Sequence, residues 1–283
     1  MSNHQHLTYP PLNTLKPVAP QVWVADGPVI EFGFFLLKVP FPTRMTVMCL
    51  DGGALFIHSP TPLTPTLKGE IEKLGTPRWI VGPNRLHYWW IPEWKAFYPQ
   101  AEVYLAPRTK EQAGTRINFP AHELARSTGY PWDGSIGTVQ VPGSYMTEFD
   151  FFHRASRTLI LTDLIENFEP KRLGLLMRWL TWFGRVQDPD GQMPRDMRWT
   201  YSQHENELRQ AIETMIAWEP QRIIIAHGRW YDCNGADELR RAFRWLLNSR
   251  ASAVKQTRSA RTNRAPSRCR WRASRRGHEN VQA

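Results

Sequence analysis

Three short apolar runs, each followed closely by a histidine or an aspartate, constrain this chain more than any other feature of its sequence. They read RWIVGPNRLH (78–87), RTLILTD (157–163) and QRIIIAH (221–227). Runs of this length and composition predict strands that are buried on both faces. In α/β proteins, binding sites form at the carboxyl ends of such strands. His87, Asp163 and His227 are therefore predicted to share one site.

The other patterns predict an α/β fold that begins with a largely antiparallel sheet. Strand-like runs separated by turn signals such as Asp51-Gly52-Gly53 predict hairpins, and later strands alternate with helices. Ser202, followed three residues later by Glu205, predicts a capped helix start. The early strands are predicted over 21–29, 30–40, 44–50 and 54–60, the helices over 64–75, 86–99, 169–184, 202–218 and 236–249, and a polar loop over 188–199.

The charge of the chain is concentrated at its end. The sequence has 36 Lys and Arg against 26 Asp and Glu, a net charge of +10, and ten of these basic residues but only one acid lie within 249–283. That segment has too few apolar side chains to offset its ordering entropy, so it is predicted to be a disordered tail. The tail could bind polyanions, or it could have no specific role. We predict three parts: an extended segment (1–20), one domain (21–248) and the basic tail (249–283).

The cysteines and the termini indicate a cytoplasmic protein. Cys49, Cys233 and Cys269 are odd in number and widely spaced, which is typical of reduced thiols rather than of a disulfide framework. The first residues lack the pattern of a signal peptide, and no apolar run approaches the ~20 residues of a membrane span. Nucleotide-binding glycine motifs, a serine-hydrolase elbow and zinc-finger spacings are also absent from the sequence.

Two imidazoles and a carboxylate are suitable ligands for zinc, iron or manganese. Three protein ligands leave a position for water, which such a metal acidifies. Each residue also has a structural interpretation, because a histidine at a strand end is often hydrogen-bonded and Asp163 could cap a turn. His58, within ALFIHSP (54–60), could be a further ligand, an orienting partner or a backbone-bonded residue. His153 lies in a predicted hairpin turn, and most aromatic residues after His87 are predicted to be core.

The segment VGPNRLHYWWIPEWKAFYPQAEVYLAP (81–107) resembles the region of the HxHxDH motif in hydrolases with the metallo-β-lactamase fold. RTLILTDL is similar to the strand that carries the aspartate of that superfamily, and RIIIAHG to its last histidine strand. Together with GGALFIHSP and FFHRASRTLILTDL, these segments most resemble its branch called domain of unknown function 4336. The resemblance implies a four-layer αββα sandwich with two mixed sheets.

The motif itself is largely lost. Gly82, Asn84, Leu86 and His87 stand where the superfamily has three histidines and an aspartate, and Ser144 replaces another histidine. The resemblance therefore implies no dinuclear centre. Two hypotheses follow: a mononuclear metal-dependent hydrolase of a small molecule, with the metal set His87, Asp163, His227 and His58, or an inactive scaffold that binds a ligand or partner without catalysis. Nucleic-acid processing is supported only by the tail.

Overall fold

Two mixed β-sheets form the centre of the protein. The computed structural model describes residues 7–34 and 37–248. The first sheet has the order β1-β2-β3-β4-β5-β6-β7; its neighbours are antiparallel from β1 to β4 and parallel from β4 to β7. Its strands are β1 (Lys16–Ala19), β2 (Val22–Phe34), β3 (Leu37–Cys49), β4 (Ala54–His58), β5 (Thr76–Gly82), β6 (Glu102–Leu105) and β7 (His122–Glu123).

The second sheet has four strands in the order β11-β10-β9-β8, and only β10 and β11 are parallel. Its strands are β8 (Ile136–Val141), β9 (Glu148–His153), β10 (Thr158–Ile160) and β11 (Arg222–Ile224). The helices are α1 (Pro65–Leu74), α2 (Ile91–Phe97), α3 (Thr109–Ala113), α4 (Leu175–Gly184), α5 (Arg195–Thr200), α6 (Glu205–Ala217), α7 (Gly235–Ala242) and α8 (Arg244–Leu247).

The central strands contact a core on each of their faces. In β10 and its continuation, Leu159 and Leu161 pack against α6, α7 and α8, whereas Ile160 packs between the two sheets. In β5, Ile80 lies against α1 and α2, whereas Val81 points to the other sheet. Successive side chains of a strand point to opposite faces, so strands covered on both sides need apolar residues throughout. The predicted four-layer α/β sandwich with two mixed sheets is confirmed.

The first hairpin differs from its prediction. Residues 21–29 and 30–40 are not two strands: β2 is continuous, and the chain reverses between Phe34 and Leu37. A bulge between Asp26 and Val29 accommodates the intervening Gly-Pro pair without ending the strand. The two prolines of β3 are tolerated because β3 pairs with β4 only from Thr46 onwards.

Three predictions about where helices begin need correction. The helix predicted over 86–99 begins only at Ile91, so His87 lies in the turn before it. Residues 188–199 are not entirely loop, because α5 begins at Arg195. The predicted capping box is wrong: the Ser202 hydroxyl donates to the Trp199 carbonyl, and α6 begins at Glu205. Local hydrogen bonding of a serine competes with capping.

The division into an extended segment, a domain and a tail stays a prediction. Within the first 20 residues, Lys16–Ala19 pairs with β2 as an edge strand. The tail (249–283) lies outside the described residues. In the described part of the chain, none of the helices has the length and apolar character needed to cross a bilayer.

Candidate metal centre

His87, Asp163 and His227 converge on one point between the two sheets. Each offers a ligand atom, and these atoms all lie within 4.8 Å of one another. Asp163 lies between the imidazoles: Oδ1 is 3.0 Å from His227 Nε2, and Oδ2 is 3.3 Å from His87 Nε2. The two imidazole ring centres are 5.3 Å apart.

The sheet register explains why two of these residues meet. In the parallel pair of β10 and β11, Ile160 is opposite Ile224. Asp163 and His227 each follow three residues later, so both leave their strands at the same level. His87 comes from the other sheet, five residues after β5, in the turn that leads into α2. The site therefore forms where the carboxyl ends of strands from both sheets meet.

The hydrogen bond of His227 determines which ring nitrogen is protonated. Its Nδ1 lies 2.8 Å from the Pro42 carbonyl, which can only accept, so Nδ1 carries the hydrogen. In the neutral ring, Nε2 then presents a lone pair towards the Asp163 carboxylate. Two facing acceptors need a cation between them, either a second proton or a metal ion. This orientation is typical of histidine ligands.

Ser59 contacts His87 in a similar manner. Its hydroxyl oxygen is 2.7 Å from His87 Nδ1, so the other ring nitrogen, Nε2, faces Asp163. Ser59 directly follows β4, which places the hydroxyl beside the turn that carries His87. The serine therefore holds the orientation of this imidazole.

The charges of the site are strongly coupled. Burial lowers the pKa of His87, but the neighbouring Asp163 carboxylate more than offsets this, and the pKa lies above its ordinary value. Burial raises the pKa of Asp163, yet His87 and His227 together hold it far below the usual range. Asp163 is therefore an anion that requires a positive partner. A divalent cation fits this donor set of two imidazoles and a carboxylate.

Glu148 and Asn84 hold Asp163 in place, and neither role could be read from the sequence. Glu148, the fully buried first residue of β9, accepts hydrogen bonds from the backbone amides of Thr162, Asp163 and Leu164 at 2.8 to 3.2 Å. The Asn84 side-chain amide donates to Asp163 Oδ2 at 2.7 Å and to Glu148 Oε2 at 3.1 Å. These contacts are long-range in sequence, so no local pattern reports them.

Arg44 positions the loop that carries His227. Its guanidinium is buried and donates to the Ile225 and Gly228 carbonyls at 2.6 and 2.9 Å. On its other side it pairs with Asp26 at 2.7 Å. Arg44 thus joins the first hairpin to the residues on either side of His227, and it too was not identified from the sequence.

His58 lies beside this group rather than in it. The ligand atoms that cluster belong to His87, Asp163 and His227, among the described residues. Both ring nitrogens of His58 are buried without a hydrogen-bond partner in the described part of the chain, and its ring is 5.5 Å from that of Phe151. Burial lowers the pKa of His58 to about 3, so the ring is neutral. Its assignment as a further ligand stays a prediction.

His153 occupies the opposite end of β9 from Glu148, about 17 Å along the strand. Its Nδ1 is 2.7 Å from the Ser156 hydroxyl. It therefore lies away from the candidate centre.

Burial lowers the pKa of His153, which makes folding stability depend on pH. Below the ordinary value of 6.5 the unfolded chain binds a proton that the folded protein does not, so stability falls as the pH is lowered from 7.5 to 5.5. We expect the free energy of unfolding to fall less in His153→Asn than in the wild type over this interval. The difference between the two losses should be at most about 1.4 kcal/mol per pH unit. Urea unfolding at both pH values measures this. Identical pH dependence in His153→Asn and the wild type would contradict a neutral His153.

Comparison with known proteins identifies the family of the chain. Residues 21–176, more than half of the sequence, match the family described as Domain of unknown function (DUF4336). The chain belongs to this family. Among the curated proteins, none matches the sequence of this DUF4336 protein.

Solved structures show that the fold of this DUF4336 protein is that of the metallo-β-lactamases. A DIM-1 metallo-β-lactamase exposed to ceftazidime is similar with a TM-score of 0.55 at 16% identity, covering 83% of this chain and 96% of that one. FIM-1 from Pseudomonas aeruginosa, in its mono-zinc form, gives 0.53 at 13% identity, covering 83% and 95%. An enzyme from Hirschia baltica gives 0.52 at 11%, covering 82% and 96%. At these identities the likeness establishes the fold alone.

The DUF4336 protein fills the lost motif positions with other groups. A side chain on Gly82 would have its Cβ only 3.0 Å from the methyl groups of Ile91 and Leu105. Asn84 donates to Asp163, as described above, and Ser144 is exposed. Apolar contacts surround Gly82 and an amide hydrogen bond joins Asn84 to Asp163, at the positions for which the resemblance implies histidines.

A cleft of about 780 Å³ leads to the three residues. Most of its walls are apolar and come from the first hairpin, from α4 and α5, and from the aromatic turn after His87, where Trp89 and Trp90 lie. Among its few ionisable groups is Glu166, whose pKa burial raises to about 8. The cleft has room for a small molecule with a substantial apolar part.

Proposed function

We propose that this DUF4336 protein is a hydrolase that uses one divalent metal ion held by His87, Asp163 and His227. The observation that supports this most directly is the convergence of three ligand atoms within 4.8 Å, with the His227 lone pair directed at the Asp163 carboxylate. The carboxylate stays ionised because the two imidazoles hold its pKa low. The group thus resembles a ligand set prepared for a cation.

A metal ion bound there would supply Lewis acidity towards a carbonyl or phosphoryl oxygen, which suits hydrolysis of an ester, thioester, amide or phosphoester. The protein residues would bind and orient the substrate, and the cleft would admit the water molecule that hydrolysis consumes. The apolar cleft walls favour a substrate with a hydrocarbon or aromatic portion beside the reacting group. Zinc, iron and manganese all fit two imidazoles and a carboxylate.

Metal binding is the first test. Protein purified without an affinity tag and treated with a chelator would be titrated with zinc, ferrous iron and manganese in a calorimeter. One equivalent of at least one metal should bind, and the melting temperature should rise with metal concentration. A protein that binds none of these ions and gains no thermal stability would contradict the proposal.

Turnover is the second test. Metal-loaded and chelator-treated protein would be compared on matched esters, thioesters, amides and phosphoesters with short and long apolar groups. Hydrolysis should depend on the metal and favour the longer groups, because the cleft is lined by apolar side chains. Equal turnover with and without metal would contradict the proposed role of the three residues.

Ser59 provides a test of the orienting contact. Replacing Ser59 by Ala removes the hydroxyl beside His87 Nδ1, and loss of such a contact lowers metal affinity by about 10- to 100-fold. Calorimetric titration measures the change.

Ser156→Ala is the matched control, because Ser156 contacts His153 Nδ1 at the same 2.7 Å but lies away from the centre. Equal affinities in the two variants would contradict an orienting role for Ser59.

The inactive scaffold remains the second candidate, and one observation favours it. Asn84 supplies a hydrogen bond to Asp163 where the superfamily motif has a histidine, so the carboxylate is partly satisfied without a metal. In that case a small molecule or partner would occupy the cleft. Variants with substitutions at His87, Asp163 or His227 would still bind it. The cytoplasmic location and the role of the basic tail stay predictions.

A further inference from the structure

Helix α4 exposes large apolar side chains to an unusual degree. Seven large hydrophobic residues are exposed in the described part of the chain, and five of them lie on this helix of ten residues. A sixth, Trp199, follows on α5 and is 82% exposed. A contiguous apolar patch on a folded protein marks a surface that something else covers. The α4 residues are Leu175, Leu176, Trp179, Trp182 and Phe183.

The apolar side chains of α4 form two faces. Met177, Leu180 and Thr181 line the cleft, and Phe183 and Trp199 border it as well. The five exposed residues of α4 are spaced by one, three or four positions, so they share one face of the helix, with Phe183 at its edge towards the cleft. This outer face, together with Trp199, is called the α4 face below. Two of its aromatic rings contact each other: Trp179 and Phe183 stack with their ring centres 6.1 Å apart.

The charges around the α4 face are mostly positive, although Glu169 pairs with Arg172 and the exposed Asp196 lies next to Arg195. Between residues 170 and 186 the chain has four basic residues and no acidic one: Lys171, Arg172, Arg178 and Arg185. Three of these are exposed, and Arg195 adds a further exposed cation at the start of α5. Within the described residues, Lys171, Arg178 and Arg185 have no carboxylate within 4 Å. Their charge is therefore available to an anionic partner.

We propose that the α4 face docks on an anionic lipid surface. A helix with Trp, Phe and Leu on one side and Lys or Arg at its borders suits the membrane interface, where aromatic rings lie at the level of the headgroups. Each nearby cation adds attraction to anionic lipid. A second copy of the chain fits less well, because symmetric contact would bring like charges together. The proposal does not depend on the metal.

The basic tail begins close to this surface. Trp245 of α8 lies 4.6 Å beneath the guanidinium of Arg198, which directly precedes Trp199. Three residues later the described chain ends at Asn248, and the following segment carries ten of the 36 basic residues.

Vesicle co-sedimentation of the full-length protein tests the docking. Wild type should bind vesicles of phosphatidylcholine mixed with phosphatidylglycerol, and bind pure phosphatidylcholine much more weakly. Trp179→Ser combined with Trp182→Ser should reduce binding at least about tenfold, because two large apolar side chains no longer enter the interface. Arg178→Glu with Arg185→Glu should weaken binding to the anionic vesicles only.

Phe97→Ser is the matched control: Phe97 is 55% exposed but lies on α2, so this variant should bind as the wild type does. Unchanged melting temperatures would show that the variants are folded. Vesicle binding that survives both α4 double variants would assign it to the tail and overturn the proposal. Absence of vesicle binding together with a dimer in light scattering that the Trp variant abolishes would overturn it in favour of self-association.

Discussion

Replacing Arg44 by Met is expected to lower the free energy of unfolding by about 2–5 kcal/mol, mainly because two buried carbonyls lose a donor, whereas Asp26 keeps its ion pair with Lys16. Arg44 is 3% exposed, and its guanidinium contacts Asp26 together with the Ile225 and Gly228 carbonyls. Methionine fills much of the volume but donates no hydrogen bond, so two buried carbonyls lose a donor. Urea unfolding monitored by tryptophan fluorescence measures the change.

Arg240→Met is the control for Arg44. This arginine pairs with Asp237 at 2.9 Å on the surface of α7 and is half exposed, so its loss should cost less than about 1 kcal/mol. Arg44→Met should also weaken metal binding, because the contacts on either side of His227 are lost. A stability equal to that of Arg240→Met would show that the hairpin and the His227 loop are held by other contacts.

Replacing Asp163 by Asn is expected to lower metal affinity by at least about 100-fold, since loss of even an orienting contact costs about 10- to 100-fold. The carboxylate lies between both imidazoles, 3.0 and 3.3 Å from their Nε2 atoms. The side chain of Asn is neutral, and its NH2 group would point hydrogen atoms at one of the imidazoles where the carboxylate has an oxygen that can bind a cation. Calorimetry with the preferred metal measures the affinity, and turnover should fall in parallel.

Asp150→Asn is the matched control for Asp163→Asn. Asp150 is fully buried two residues after Glu148, and burial together with Glu148 raises its pKa well above the ordinary value. Burial favours the uncharged form of this carboxyl group, so an uncharged amide of the same shape should leave metal affinity within a few-fold. An Asp163→Asn protein that retains full affinity would remove Asp163 from the ligand set and favour the inactive scaffold.

Much of the centre could be predicted because its three residues closely follow recognisable strands. The apolar runs that precede Asp163 and His227 predict buried strands, and the carboxyl ends of such strands are where sites assemble. His58 satisfied the same rule, yet its nitrogens lie in an apolar environment beside Phe151. The pattern of a strand reports which face a residue points to, but it does not report which side chains arrive from the other sheet.

Glu148, Asn84 and Arg44 could not be predicted for a related reason. Glu148 contacts the backbone of 162–164 across about 15 residues of chain, Asn84 reaches Asp163 across 79 residues, and Arg44 reaches Ile225 across 181. Such contacts have no periodicity and no fixed spacing. Likewise, the exposed residues of α4 were predicted only as an amphipathic helix, because an apolar residue in a sequence carries no sign of whether it is buried.

The amino-acid sequence by itself determined the layers of this protein, since strands that are apolar at successive positions must be covered on both faces. It also determined that imidazoles and a carboxylate stand where those strands end. Only the tertiary structure decided which of them share one cavity, which ring nitrogen faces the carboxylate, and which apolar helix face is left uncovered. The physical reason is that burial and hydrogen bonding are properties of neighbours in space, and those neighbours come from distant parts of the chain.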